Sequence, residues 1–126
     1  MNEIEQRNVE RVRFWQQTWN TEVDRMVDEC YAENCEVINM LTGYTMHGRE
    51  ELRKIEHAML AFDPARRMVI KKVIANGDTV ALEADAYWHG KVSAACVFLT
   101  FNQAGQIVSD HSYGADPAGA SSPARV

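Results

Sequence analysis

The chain divides by the spacing of its apolar residues. In residues 80–88, VALEADAYW, the positions Val80, Leu82, Ala84, Ala86 and Trp88 fall on one side of an extended chain. Ala81, Glu83, Asp85 and Tyr87 fall on the other. This period of two predicts a strand with one apolar face and one mostly polar face. His89-Gly90-Lys91 predicts a turn, residues 92–101 a second strand, residues 102–105 another turn and residues 106–114 a third strand. Upstream the period becomes helical. Val12, Trp15 and Trp19 share one face of a helix predicted over residues 3–19, with Asn2 and Glu5 spaced as a capping box. Val23, Met26, Val27, Cys30 and Tyr31 mark a second helix, with Thr21 as its expected cap. Residues 35–40 read as a strand with Val37 and Asn39 on one face, followed by a loop through Thr42-Gly43-Tyr44. Gly48 opens a third helix with Leu52, Ile55, Met59 and Phe62 as its buried stripe, and Asp63-Pro64 ends it. Residues 68–75 form a strand that turns through Asn76-Gly77-Asp78 back into residues 80–88.

The order is two helices, a strand, a helix and a four-strand antiparallel meander. That is an α+β plan in which helices cover one face of a twisted sheet. Such a sheet closes into a cone whose mouth is a natural pocket. Residues 1–116 are expected to form a single domain. Residues 117–126, small, polar and proline-containing, are expected to be a disordered tail.

Composition narrows the partners. A hydrophobic fraction of 46% and a charged fraction of 25% over 126 residues suit a globular protein with a real core. The net charge of −5 argues against nucleic acid, which demands a basic surface. The basic cluster of Arg66-Arg67 and Lys71-Lys72 reads as decoration of an exposed strand. No apolar run is long enough to span a membrane, no signal peptide is visible, and the odd set Cys30, Cys35 and Cys96 reads as reduced thiols. These readings place the protein in the cytoplasm. No histidine triplet or completed cysteine set indicates a metal site.

Strand register selects the candidate chemistry. With Gly90-Lys91 as the turn, Ala86 faces Ala95, Ala84 faces Val97, and Leu82 faces Leu99. With Phe101 opposite Val108 in the next hairpin, Leu99 lies beside Asp110 and Val97 beside Ser112. Val97, Leu99 and Val108 then point into the cone, with Asp110 and Ser112 as polar members of that face. Glu83 and Asp85, about 7 Å apart on one face of a strand, have the look of a catalytic pair, but this register turns them outward with Tyr87, Cys96, Phe98, His111 and Tyr113. His111 is then within reach of Asp85 or Glu83. A carboxylate on an otherwise apolar face loses solvation, so the pKa of Asp110 should rise and the group should serve as a general acid or base. A one-residue slip would instead expose it.

YAENCEVIN after the second helix, HGREEL opening the third, YWHG at the hairpin and FNQAGQIVS at the next one together resemble the ketosteroid isomerase and SnoaL-like group of the nuclear transport factor 2-like superfamily. The resemblance implies a cone-shaped fold of a curved, mostly antiparallel sheet and three helices around a pocket, and a homodimer paired through the outer sheet face. The tyrosine and two aspartates of ketosteroid isomerases fall here on Trp15, Asn39 and Val97, so that reaction is not expected. Limonene epoxide hydrolases, more distant relatives, suggest a water-holding role for Asn39, with Ser112 near their last-strand acid. They also use an Asp–Arg pair on the middle strand, which falls on Leu82 and Val80 by the hairpin register, or uses Asp85 by a looser match of LEAD; in either placement the strand carries no arginine. SnoaL-like polyketide cyclases need an apolar pocket and one acid–base carboxylate near the last strand, which Asp110 supplies. The expected function is cofactor-independent isomerisation, cyclisation or hydrolysis of a small hydrophobic ring compound. In that scheme Asp110 and Asn39 are catalytic, and Trp15, Tyr31, Tyr44, Trp88, Val97, Leu99 and Ser112 bind the substrate. Two alternatives stay open: a pocket that binds a hydrophobic ligand without chemistry, and a dimerisation module filled by its own side chains.

Overall fold

The structure, a computed structural model, describes residues 1–114. The tail expected at residues 117–126 lies outside the described residues. Helix α1 (Glu3–Thr21) begins at a complete capping box: the Asn2 side chain accepts from the Glu5 amide at 2.8 Å, and the Glu5 carboxylate accepts from the Asn2 amide at 3.0 Å. The helix absorbs Thr21, whose hydroxyl bonds back to the Gln17 carbonyl, so Thr21 does not cap the next helix. Helix α2 (Val23–Cys30) follows Glu22 without a side-chain cap. Tyr31, expected on the face of that helix, instead begins strand β1 (Tyr31–Asn39), where Arg49 Nε donates to its carbonyl at 2.9 Å. Inside the expected loop lies a short strand, β2 (Thr45–His47), paired antiparallel with β1. Helix α3 (Gly48–Phe62) follows directly, with Gly48 at a φ of 83° that only glycine adopts readily. Its buried face is Leu52, Glu56 and Met59. Phe62 departs from the expected stripe: it is 39% exposed and meets the ring of His89 edge-on at 4.8 Å.

Strands β3 (Arg67–Asn76), β4 (Thr79–Trp88), β5 (Lys91–Phe101) and β6 (Ile107–Gly114) form the antiparallel meander. Strand β6 also pairs in parallel with β1, so one six-stranded mixed sheet runs β2-β1-β6-β5-β4-β3. The three helices and this curved sheet make the expected α+β cone.

The hairpins decide which side chains face inward. Between β4 and β5 the turn residues are His89 and Gly90, with φ of 49° and 78°, the left-handed pair that a tight two-residue turn requires. Trp88 therefore pairs with Lys91 and Leu82 with Val97, a slip of two from the expected pairing. An even slip leaves every side chain on its expected face. Between β5 and β6, Leu99 pairs with Asp110, Val97 with Ser112 and Ala95 with Gly114, as expected. A bulge at Thr100/Phe101 then sets Ile107 opposite Phe101. Ile107 is buried in consequence, whereas Val108, expected inward, is only half-buried.

The core fills the narrow part of the cone with Val12, Met26, Leu52, Leu82, Leu99 and Ile107, all fully buried or nearly so. Arg7 and Arg11 of α1 hold the β5–β6 turn by donating to the carbonyls of Asn102, Gln103 and Gly105. Glu83 and Asp85 point outward, and Asp85 meets Lys71 at 3.2 Å. His111 pairs across the strands with Phe98, not with either acid. Arg66 corrects another expectation. It is 2% exposed and enters the interior, because its guanidinium finds a carboxylate, a carbonyl and an indole there.

Candidate functional site

A cavity of about 120 Å³ opens at the wide end of the cone. Every element that builds it presents its apolar side. Helix α1 contributes Trp15 and Trp19, four residues and so about one turn apart. The strands contribute Val37, Ala86, Trp88, Ala95 and Val97, spaced by two within each strand. Met46, Met59 and Met68 fill the gaps. Trp19 and Trp88 meet edge to face at 5.7 Å.

Asp110 lies in this wall at 5% exposure. Its Oδ2 accepts a hydrogen bond from the Tyr31 hydroxyl at 2.6 Å, and the same hydroxyl accepts from Trp15 Nε1 at 2.9 Å. A chain Trp15–Tyr31–Asp110 therefore runs from α1 across β1 to β6. The indole can only donate, and the ionised carboxylate can only accept, so the phenol between them takes the indole proton and gives its own to the charged Asp110. Among the described residues no donor reaches Asp110 Oδ1, which stays accessible at the cavity surface. Burial pushes the Asp110 carboxyl up to about 7; the Tyr31 hydrogen bond pulls it back in part, and the negative charge of Glu56 adds to the rise. Burial likewise raises the Tyr31 hydroxyl well above its usual range, with help from the charge of Asp110. The Cys35 thiol is raised by burial and, to a lesser degree, by the same carboxylate.

Asn39, Tyr44 and Ser112 border the same cavity. The Asn39 carboxamide oxygen accepts from the amides of Leu41 at 2.9 Å and Thr42 at 3.2 Å, so it shapes the β1–β2 turn beside the mouth. The Ser112 carbonyl accepts from the Met40 amide at 2.8 Å and holds that turn to β6. Of the site residues expected from sequence, Asp110, Asn39, Trp15, Tyr31, Tyr44, Trp88, Val97 and Ser112 are brought together. Leu99 is not. It is fully buried behind the wall, opposite Asp110, and does not reach the cavity.

One polar residue joins the site without any expectation from the sequence, with an arginine behind it. Glu56 lines the cavity at 7% exposure, and its Oε1 meets Arg66 Nη2 at 2.7 Å. This is a contact of charges rather than an aligned hydrogen bond, since Glu56 Oε1 and Arg66 Nε and Nη1 are buried without hydrogen-bond partners. Arg66 Nη2 donates to the Trp19 carbonyl at 2.7 Å, and the guanidinium lies 3.7 Å from the Trp19 ring centroid. A signal for Glu56 is present in the sequence: it sits between Leu52 and Met59 at helical spacing. Outside the cavity lining, Asp63 ties the end of α3 to the β4–β5 turn: it accepts from the His89 amide at 2.6 Å and the Ala65 amide at 3.0 Å. The first of these bonds is the main cause that holds its carboxyl below the usual range.

Residues 12–110 match the model of the SnoaL-like domain family. The chain belongs to that family. The SnoaL-like domain shares its fold with many solved structures. One, from Burkholderia xenovorans, is a nuclear transport factor 2-like protein of unknown function: TM-score 0.79, 15% identity, 92% of this chain and 88% of that one covered. Another, from Jannaschia sp., is a candidate SnoaL-like polyketide cyclase: TM-score 0.77, 16% identity, coverage 90% and 89%. A third, from Catenulispora acidiphila, has a ketosteroid isomerase-like fold and was solved in complex with trimethylamine: TM-score 0.74, 21% identity, coverage 88% of each chain. No curated protein matches this SnoaL-like chain. Among the described residues no helix is long and apolar enough to cross a membrane, and no group of three His, Cys, Asp or Glu side chains converges to hold a metal.

Proposed function

We propose that this SnoaL-like domain is a cofactor-independent acid–base enzyme acting on a small, mostly apolar ring compound, with Asp110 as the proton carrier. One observation carries the reading: a buried carboxyl titrating near 7 opens one oxygen to an aromatic cavity and has the other held by Tyr31. Near neutral pH such a group is present in both protonation states, so it can take a proton from one ligand atom and return it to another. Tyr31, itself held by Trp15, fixes the carboxylate's orientation and donates to it when it is charged. Asn39 and Ser112 orient the ligand's polar group, and Trp15, Tyr44, Trp88 and Val97 pack its apolar part. A cavity of about 120 Å³ fits a single ring, smaller than a steroid nucleus. The trimethylamine held by the Catenulispora relative supports a ligand of that size. The candidate polyketide cyclase among the solved structures supports a reaction on a ring compound.

The reading includes a homodimer. The outer sheet face carries Ile74, Phe98 and Tyr113, at 61%, 43% and 41% exposure, and a second copy would cover them. It also keeps a cytoplasmic location, on the three free cysteines.

The test is exchange of ligand C–H protons for deuterium, followed by NMR over a panel of small cyclic ketones. The wild type is expected to accelerate exchange for at least one member, and Asp110→Asn to abolish that acceleration while remaining folded. Acceleration that survives Asp110→Asn would remove Asp110 from the role. Ligand binding with no exchange across the panel would favour the non-catalytic reading.

A further inference from the structure

The cavity holds two carboxyl groups, and the mechanism above uses only one. Asp110 on β6 and Glu56 on α3 both line it, at 5% and 7% exposure. Each has one oxygen committed: Asp110 Oδ2 to the Tyr31 hydroxyl and Glu56 Oε1 to the Arg66 charge. Each has a second oxygen, Asp110 Oδ1 and Glu56 Oε2, that no described donor reaches and that is not sealed from the cavity. Open to the cavity, each of these oxygens can accept a hydrogen bond from a ligand that enters it. The groups facing Asp110 are Tyr31 and Cys35 from β1 and Glu56 from α3, none of them a cation. Arg66 is turned away, over Trp19 and against Glu56, and does not line the cavity.

The remaining wall is aromatic. Trp15, Trp19, Trp88 and Tyr44 border the space. Ring faces attract cations, as the seat of Arg66 over Trp19 already illustrates. The described lining combines two carboxyl groups and four aromatic side chains with no lysine, arginine or histidine, and so complements a positive ligand with N–H donors. It does not complement an anion.

We propose that the cavity selects a small cyclic amine, bound as its ammonium ion, with one N–H to Asp110 Oδ1 and a second to Glu56 Oε2. This names a substrate class for the site proposed above and rests on Asp110 being its proton-carrying group. A neutral amine meeting protonated Asp110 takes its proton: the O–H bond breaks, an N–H bond forms, and the carboxylate stays as counter-ion. An ammonium ion meeting the same group displaces that proton to solvent. Either route ends in the same complex. Because Asp110 titrates near 7, ammonium binding should weaken as pH falls below that value.

The experiment is calorimetry on the full chain with two probes of matched size, pyrrolidinium and cyclopentanol. Pyrrolidinium is expected to bind at least tenfold more tightly at neutral pH, and its Kd to rise about tenfold for each pH unit below 7. Asp110→Asn, confirmed folded by its thermal transition, is expected to remove this preference and its pH dependence. Glu56→Gln is expected to weaken pyrrolidinium by a smaller factor. Equal affinity for the two probes, absence of pyrrolidinium binding, or a preference that survives Asp110→Asn would each overturn the inference. The uncharged-ring reading has its own outcome: it fails if cyclopentanol and the ketone panel do not bind, whatever pyrrolidinium does.

Discussion

Replacing Asp110 with Asn should stabilise the fold above neutral pH. The carboxyl is almost fully buried and titrates near 7 instead of at its ordinary value of 3.8. A raised pKa in an acid means that the folded state prefers the protonated form. Between pH 3.8 and 7 the unfolded chain has released this proton and the folded chain has not, so stability falls as pH rises. Above 7 both states are ionised and the loss is complete. A gap of roughly three pH units at 1.36 kcal/mol each gives a full cost of about 4 kcal/mol, with about 3 kcal/mol of it falling between pH 5 and 7. The carboxamide introduced by Asp110→Asn carries no charge, and its carbonyl can still accept from Tyr31. The measurement is urea unfolding of wild type and Asp110→Asn at about pH 5 and about pH 8.5, with the difference in unfolding free energy compared between the two. The variant should gain about 3 kcal/mol relative to wild type on going to the higher pH. Titrating groups that do not interact with Asp110 cancel in that comparison. A difference that stays constant across pH would refute the argument, because it would mean that Asp110 is hydrated in the folded protein.

Tyr31→Phe removes the hydrogen bond that lowers the Asp110 pKa and strands the Trp15 indole N–H. The pH midpoint of activity or of pyrrolidinium binding should move upward, and stability at about pH 5 should fall by about 1–3 kcal/mol, read by urea unfolding. Arg66→Met leaves Glu56 buried without its counter-charge and should cost about 3–5 kcal/mol, also by urea unfolding, with Arg66→Met/Glu56→Leu recovering much of it. Phe98→Lys places a charge in the apolar patch with Tyr113, whose ring centroid is 5.9 Å away. It should convert a dimer to a monomer in light scattering without loss of the thermal transition, and a wild type that is already monomeric would remove the dimer proposal.

The strands and the inward face of the site are legible because alternation is a local property. Val97, Asp110 and Ser112 are set on the cavity side by parity alone, and the two-residue slip at His89-Gly90 costs nothing because parity survives even shifts. What sequence misses is whatever depends on a distant partner. Tyr31 continues an apolar helical pattern, yet leaves the helix once its hydroxyl finds Asp110, 79 residues away, and its carbonyl finds Arg49. Arg66 sits in a basic run that looks solvated, and only the fold brings Glu56 and the Trp19 ring to it. Leu99 has the strand parity of a cavity residue, but the taper of the cone closes over it. Parity tells which side a residue faces and not how deep along the cone it lies.

The parallel seam between β1 and β6 has a kinetic consequence. Its pairings join residues about 70–80 positions apart, whereas each hairpin of the meander can zip from its own turn. Loop-closure entropy makes such a seam a late event in folding. Tyr31 and Asp110 stand on opposite sides of it, so their hydrogen bond forms only when this seam does. A ligand that binds the cavity should therefore slow global unfolding rather than protect one segment. Hydrogen exchange across all six strands, not only the cavity wall, should register its arrival.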